Sequence, residues 1–532
     1  MHKSAVAYAI GKLMQVMGLV LLVPLAIAIY DRTGESSNAI FSHPEVIGFM
    51  IAIIAALLTG SACVYIFRKG KALQGVKEGF AVVAIGWVAL TLISSIPMTL
   101  YFLSQTDANG SGFLEAFTNG FFETMSGFTT TGATILTDIE AVPDSLLFLR
   151  SLTQWLGGMG IITLAIAIFP AMGVSGYQMF RSEVPGPAKE KLQPRLAQTV
   201  SVLWGVYVLL SVFETLLLMV GDMSLFDAVC HTFSTMATGG FSTRNGSIAA
   251  FDSPFIEWVI IVFMFFAGIN FLLHFRVFRG DFKSLTKNPE FRFYAGVILT
   301  AIVVFTAVLT FQGMASIETA AESYRFSQPG DSEFALHYAD QQEKINGFGT
   351  VFRTAAFQVM SFVTGTGFVT ADFDLWDDFL RALLVFLMFF GGCAGSTAGG
   401  IKMIRILVVA KTAINELRKI AQPRLVSPVK VANRVVEQDR VVNIAAFFIF
   451  FLGLFLLCGI LMTLFVPDLE TAFTASIAAI GNIGPGLAGV GAAENYAWLP
   501  IPAKWLLIIT MLLGRLEIFT VLILLRARTW RK

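Results

Sequence analysis

Four times along 532 residues the chain repeats one device: an apolar segment too short to cross a bilayer ends in a Thr/Gly-rich stretch and is followed by a long apolar run. The stretches are Thr129-Thr130-Thr131-Gly132-Ala133, Ala237-Thr238-Gly239-Gly240-Phe241, Thr364-Gly365-Thr366-Gly367-Phe368 and Gly481-Asn482-Ile483-Gly484-Pro485. In hydrocarbon every backbone N–H and C=O needs a partner within the protein, so irregular backbone at membrane depth must lie inside a bundle or line a cavity. A cation stripped of water needs oxygens placed around one axis. Four half-crossing helices opening into carbonyl-rich strands supply them, and the device points to an ion pathway.

The rest of the chain fits a membrane setting. Hydrophobic residues make up 56% and charged residues 14%, against about 25% charged in soluble domains. The four cysteines, Cys63, Cys230, Cys393 and Cys458, show no CxxC spacing and no clustered histidines, which argues against a disulfide framework or a metal cage.

Runs long enough for a hydrocarbon core of about 30 Å fall near 13–30, 46–67, 79–103, 145–170, 200–221, 255–275, 292–312, 379–411, 441–466 and 503–526. The first two form an N-terminal hairpin. A signal peptide is disfavoured at 13–30, because a second spanning run follows with no clear small-residue cleavage site. The eighth run is interrupted by ten residues at 391–400, Gly-Gly-Cys-Ala-Gly-Ser-Thr-Ala-Gly-Gly, a density no lipid-facing helix tolerates. Between later runs lie segments 113–128, 224–237, 347–363 and 468–480, each of half-crossing length at 1.5 Å per residue.

One such segment alone reads equally well as an amphipathic surface helix. Four in a common register do not. Aligned on Gly132, Gly240, Gly367 and Gly484, the positions fifteen upstream are Phe117, Leu225, Phe352 and Leu469. Seven upstream stand Met125, Phe233, Met360 and Ile477, and six upstream Ser126, Ser234, Ser361 and Ala478. Small-residue helix packing explains isolated glycines but not this agreement. The expected fold is an all-α polytopic membrane protein of four helix/half-helix/filter/helix repeats with pseudo-fourfold symmetry. Its parts are a hairpin at 1–78 and pore repeats at 79–199, 200–291, 292–440 and 441–532.

Short connections rich in Lys and Arg mark the cytoplasmic side. Arg68, Lys69, Lys71 and Lys77 follow the second run, Arg181, Lys189, Lys191 and Arg195 the fourth, and Arg276, Arg279, Lys283 and Lys287 the sixth. Basic residues from Lys402 to Arg440 and at Arg526, Arg528, Arg531 and Lys532 fall on the same side. Both termini are then cytoplasmic, and the filter stretches and the long 313–346 connection face outward.

Neutral carbonyls replace a cation's water without trapping it, and glycine both tolerates positive φ and removes the Cβ that blocks the path. Thr130, Thr131, Thr238 and Thr366 have hydroxyls suited to holding the strands, and the half-helix C-termini favour a cation. At the position before each anchoring glycine stand Thr131, Gly239, Thr366 and Ile483, so side-chain oxygens are unevenly distributed. Arg515 lies deep in the last run, where charge must face a cavity or polar partner. Arg405 reads as a cytoplasmic-end anchor, as does Lys402 on one reading. Glu123 is placed to concentrate cations at the outer mouth, Glu470 and Asp227 read as helix-start partners, and Glu214 as a hydrogen-bonded buried carboxyl with a proton relay as the alternative. His231 accompanies Asp227 in the second half-helix. No phosphate-cradling GxxxxGK[ST], GxSxG or HExxH is present, so no enzyme chemistry is expected.

The motifs TTTGAT at 129–134, ATGGFST at 237–243, TGTGFVT at 364–370, GNIGPG at 481–486, GGCAGSTAGGIK at 391–402 and GRLEIFT at 514–520 together resemble the Trk-type potassium uptake subunits of the Trk/Ktr/HKT superfamily. The two extra N-terminal helices favour the bacterial Trk branch over the shorter Ktr branch. The resemblance covers nearly the whole chain, although 313–346 is longer than usual. It implies K⁺ bound at Thr130, Thr131, Gly132, Thr238, Gly239, Gly240, Gly365, Thr366, Gly367, Asn482, Ile483 and Gly484. It also implies a gate of Gly391, Gly392, Gly395, Ser396, Thr397, Gly399, Gly400 and Arg515. Gly132 stands where plant relatives that carry sodium have serine, which implies a potassium preference. Further implications are a homodimer in a bacterial inner membrane and a cytosolic TrkA-like regulatory partner that binds ATP or NAD, with no cofactor on the chain itself and no nucleic-acid partner. An H⁺- or Na⁺-coupled potassium symporter is the alternative to a channel-like permease.

Overall fold

The computed structural model describes residues 2–33, 36–70, 76–105, 112–160, 196–312, 347–422, 428–431, 434–526 and 530. The end of the run expected at 145–170, the basic residues between 171 and 195, the 313–346 connection, Lys71, Arg424, Arg528, Arg531 and Lys532 lie outside them. The described residues are helical apart from one short hairpin, Lys430–Val431 with Arg434–Val435, an isolated bridge, and loops.

Among the described residues, six helices have the length and hydropathy to cross a membrane: Lys3–Tyr30, Pro44–Ile66, Lys77–Gln105, Val200–Val220, Pro289–Phe311 and Gln438–Met462. The first begins ten residues before the apolar run that announced it, because Ala5, Val6 and Ala9 bury against the hairpin partner. That pair packs through glycine. A Cβ on Gly11 or on Gly60 would strike the other residue's carbonyl oxygen, so the two backbones touch, as small residues permit in membranes.

The run expected as one crossing at 255–275 is instead two helices, Pro254–Ala267 and Phe271–Phe278, bent by 103°. The later runs are broken as well, into Asp378–Leu387 and Met403–Ala421, and into Ile501–Arg515 and Phe519–Leu525. The first of these breaks was legible in the glycine run. The others turn on single positions, where Asn270 caps the helix that follows Gly268 and Glu517 and Ile518 adopt φ of 57° and 49°. Gly268 and Gly395 each stand 28 residues beyond an anchoring glycine (240 and 367), so these two breaks occur at equivalent places.

The four half-helices are Phe113–Phe128, Leu225–Ala237, Phe348–Thr364 and Leu469–Gly481, within a residue of the expected segments. Two of them carry a side-chain cap: Ser224 accepts from the Asp227 amide and Asp468 from the Thr471 amide. Such caps satisfy amides that a helix start leaves free. All four cysteines are free.

Candidate ion pathway

Every half-helix ends in the same hydrogen-bond motif. The amides of Thr131, Gly239, Thr366 and Ile483 donate to the carbonyls of Ser126, Ser234, Ser361 and Ala478 at 2.8, 2.9, 2.8 and 3.0 Å. One residue earlier, Thr130, Thr238, Gly365 and Asn482 donate to Gly127, Thr235, Phe362 and Ala479. This pair of bonds is the Schellman motif, which requires a left-handed residue where the helix stops. Glycine is usual there, and the third copy has Gly365 at φ 70°. The other copies hold Thr130, Thr238 and Asn482 at 49°, 54° and 53°. For a β-branched threonine this is a steric outlier, and strain of this kind collects at functional sites.

Two residues on, the chain turns left-handed again at Gly132, Gly240, Gly367 and Gly484, with φ of 84°, 75°, 79° and 99°. These four glycines close a ring. A Cβ on Gly132 would collide with the carbonyl oxygen of Gly239, one on Gly240 with that of Thr366, one on Gly367 with that of Ile483, and one on Gly484 with that of Thr131. Each anchor faces the oxygen of the residue preceding the next anchor, and the fourth returns to the first. The sequence columns expected a shared register; the ring shows that the four strands meet around one centre.

The side chains around this ring divide into those that brace it and those left with unused oxygens. Gln154 donates to the carbonyl of Gly239 at 2.7 Å and accepts from the amide of Phe241. Tyr496 donates to the carbonyl of Gly484 at 2.7 Å, and Asn482 donates to Thr131 Oγ1 and to the Met511 carbonyl, each at 3.0 Å. Thr131 and Thr366 pair with the hydroxyls of Thr129 and Thr364, and Thr238 donates to Ala237, as expected of hydroxyls that hold strands. Thr130 does not. Its Oγ1 is buried with no hydrogen-bond partner, and Asn482 Oδ1, in the same ring position, is likewise unpartnered. Buried polar atoms left this way call for an explanation; Asn482 Oδ1 lies against Gly514 in the last run.

On one side of the ring opens a cavity of about 290 Å³, lined by Gly132, Gly240, Gly367 and Gly484 and rimmed by Arg244, Asp372 and Glu494. Glu123 does not stand at this mouth. It is 1% exposed and locked to Arg150 at 2.8 Å, to Thr134 and to the amide of Ile135. Its work is to fasten the strand after Gly132 to its half-helix. Asp227 accepts from Ser224, Thr243 and Arg244, His231 bridges the Asp227 carbonyl and Ser242, and Glu470 pairs with Arg381. Glu214 is buried in the spanning helix Val200–Val220, its carboxyl beside the Thr235 hydroxyl.

On the opposite side, the glycine run at 391–400 forms the core of a buried loop that spans 388–402. It is pinned along its length: Gly391 to Ile401, Cys393 to the Gly268 carbonyl, Met403 to Gly392, and Gly395 by the Phe271 amide at 3.1 Å. Asn270 holds the Ala394 carbonyl at 2.6 Å. The apex sits beneath the ring. Thr397 donates to Met236 and Ala267, Gly399 leaves no room for a Cβ against the Gly481 carbonyl, and Gly400 is left-handed at φ 62°. Gly392 packs on half-buried Ser396, whose buried hydroxyl oxygen has no partner.

Arg515 donates to the Thr397 carbonyl at 2.8 Å and to Gly157 and Gly158 at 2.6 and 3.1 Å. Arg405 is no surface anchor. It is 4% exposed, ion-paired to Glu517 at 2.7 Å and stacked 3.8 Å from the Phe447 ring centre, because the break at 517–518 turns Glu517 inward. Lys402 bonds the Ala398 carbonyl within the loop. The sequence analysis missed Gln154, Tyr496, Arg150 and Asn270, whose partners lie far along the chain. Only Arg150, a charge inside an apolar run, left a legible signal.

Half-helices converging on a closed ring of peptide oxygens, inside a bundle of apolar crossings, define a multi-pass cation transport protein. The family model described as "TrkH: Cation transport protein" matches residues 46–532, and the chain belongs to that family, whose members are transporters rather than enzymes. It is 36% identical over 534 residues to the Trk system potassium uptake protein TrkH of Salmonella typhimurium, covering 100% of both chains. To the Trk system potassium uptake protein TrkG of Escherichia coli it is 32% identical, over 100% of this chain and 99% of the relative. The crystal structure of the potassium transporter TrkH from Vibrio parahaemolyticus matches with a TM-score of 0.81 at 32% identity, over 100% of both chains.

Proposed function

We propose that the chain takes up K⁺ across a bacterial inner membrane through a carbonyl-lined, channel-like pore. The observation that supports this most is the closed ring of Gly132, Gly240, Gly367 and Gly484, each set against the preceding carbonyl of the next strand. Peptide oxygens at Thr131, Gly239, Thr366 and Ile483 then take the place of the ion's water. The driving force is the membrane potential, about 2.3 kcal/mol per charge per 100 mV.

The 388–402 loop, with Gly391, Gly392, Gly395, Ser396, Thr397, Gly399 and Gly400, is read as the gate, held shut by Arg515. Four pore repeats at 79–199, 200–291, 292–440 and 441–532 follow the hairpin 1–78, with both termini cytoplasmic. A TrkA-like nucleotide-binding partner on the basic cytoplasmic face and a homodimeric assembly complete the reading.

A second reading, proton-coupled symport, draws on Glu214, a carboxyl buried in a spanning helix. Reversal potentials in proteoliposomes under K⁺ and Na⁺ gradients, at two pH values, test both. A potential that tracks K⁺ alone supports the pore; one that moves with the proton gradient supports coupling; equal response to Na⁺ and K⁺ sinks the selective filter.

A further inference from the structure

We propose that Glu290 is the latch that holds the 388–402 loop in place, by accepting with one carboxyl oxygen a backbone amide inside the loop and another from the helix that leaves it. Glu290 is the second residue of the helix Pro289–Gln312 and is 8% exposed. Its Oε1 accepts from the amide of Ala394 at 2.6 Å and from the amide of Ile404 at 3.2 Å. Ala394 lies inside the loop, and Ile404 in the first turn of the helix that leaves it.

An acidic residue in a helix's first turn ordinarily serves its own helix dipole. Here Asn288 already caps that helix, accepting from the amides of Glu290 and Phe291 at 2.9 and 3.0 Å. The carboxylate reaches instead to another segment and supplies an acceptor for an amide that the start of Met403–Ala421 leaves without an intrahelical partner. Because one amide lies inside the loop and the other just beyond it, and both share one oxygen, the loop cannot swing away from Pro289–Gln312 without giving up at least one of them. Arg515 secures the apex at Thr397; Glu290 secures the loop at Ala394.

This inference rests on the gate reading, and its test separates the two. Cys393, buried in the loop beside Ala394, is a native reporter. In the full chain in proteoliposomes, alkylation of Cys393 by N-ethylmaleimide is followed by peptide-resolved mass spectrometry, with half-exposed Cys63 as internal reference, alongside rubidium tracer flux without any partner. Glu290→Ala, and Glu290→Asp, whose carboxylate is one methylene shorter, are expected to speed alkylation about tenfold and to raise flux several-fold. Glu290→Gln, which keeps an acceptor oxygen in reach, is expected to restore both toward wild type. Alkylation unchanged in the Ala and Asp variants overturns the latch, and Asp decides alone if Ala does not fold. Faster alkylation with unchanged flux keeps the latch and overturns the gate reading.

Discussion

The guanidinium of Arg515 joins two segments that the chain separates by more than two hundred residues: it bonds the Thr397 carbonyl at 2.8 Å with one amino group and the Gly157 and Gly158 carbonyls with the other. Lysine supplies charge without this planar fork. Arg515→Lys is therefore expected to raise partner-independent rubidium flux several-fold with little change in folding, and Arg515→Ala to raise it further, while leaving buried carbonyls short of a donor at about 1–3 kcal/mol. Tracer flux and thermal unfolding in detergent check the pair. Flux at the wild-type level in both variants would remove Arg515 from the gate.

Gly132→Ser introduces a Cβ where the Gly239 carbonyl lies, at a residue whose φ is +84°. The left-handed conformation alone costs about 1–2 kcal/mol without glycine, and the neighbouring oxygen must move. K⁺ over Na⁺ discrimination is expected to fall by about an order of magnitude, equivalent to roughly 1.4 kcal/mol, as read from bi-ionic reversal potentials. An unaltered ratio would place the discriminating oxygens elsewhere.

Glu123 and Arg150 form a buried ion pair at 2.8 Å. Removing one partner strands the other charge, at about 3–5 kcal/mol. Arg150→Met should lower the thermal midpoint strongly, and the double variant with Glu123→Gln should recover part of the loss. A single variant as stable as wild type would contradict the clamp.

Beyond Gly367, burial and neighbouring acids raise two carboxyls around the short turn Phe373–Leu375. Asp372 is pushed up to about 6, chiefly by burial, and Asp374 to about 7, by burial and then by Asp372. A folded-state pKa above the unfolded 3.8 means that the fold favours the protonated acid. The contribution is full below about pH 4 and is lost as pH climbs through 6 to 7. Thermal stability should therefore decline across that window, and Asp374→Asn, which keeps an acceptor for the Ala488 amide, should flatten the decline. Parallel pH profiles for variant and wild type would count against this assignment.

Much of the architecture was legible in the residues. The half-helix limits follow from short apolar runs ending in Thr/Gly stretches, and the shared column of Ser126, Ser234, Ser361 and Ala478 turns out to hold the carbonyls that close each helix end. The broken eighth run was readable because ten residues with five glycines cannot form a lipid-facing helix. The bend at Gly268 was not, since a single glycine within an apolar run is compatible with a straight helix, and only Asn270 capping a new one reveals the turn.

Local chemistry, which acts between near neighbours and with the solvent, set the apolar crossings, the stopping points of the half-helices and the need for glycine where backbone turns left-handed. Partner choice between distant segments was left to the folded bundle. That Glu123 meets Arg150 rather than the outer solution, that Glu517 takes Arg405 and leaves Arg515 to the loop, and that four glycines face one another's neighbouring carbonyls are decided by packing. A buried charge or peptide group takes whichever partner the tertiary geometry brings within reach, and sequence spacing says little about which one that is.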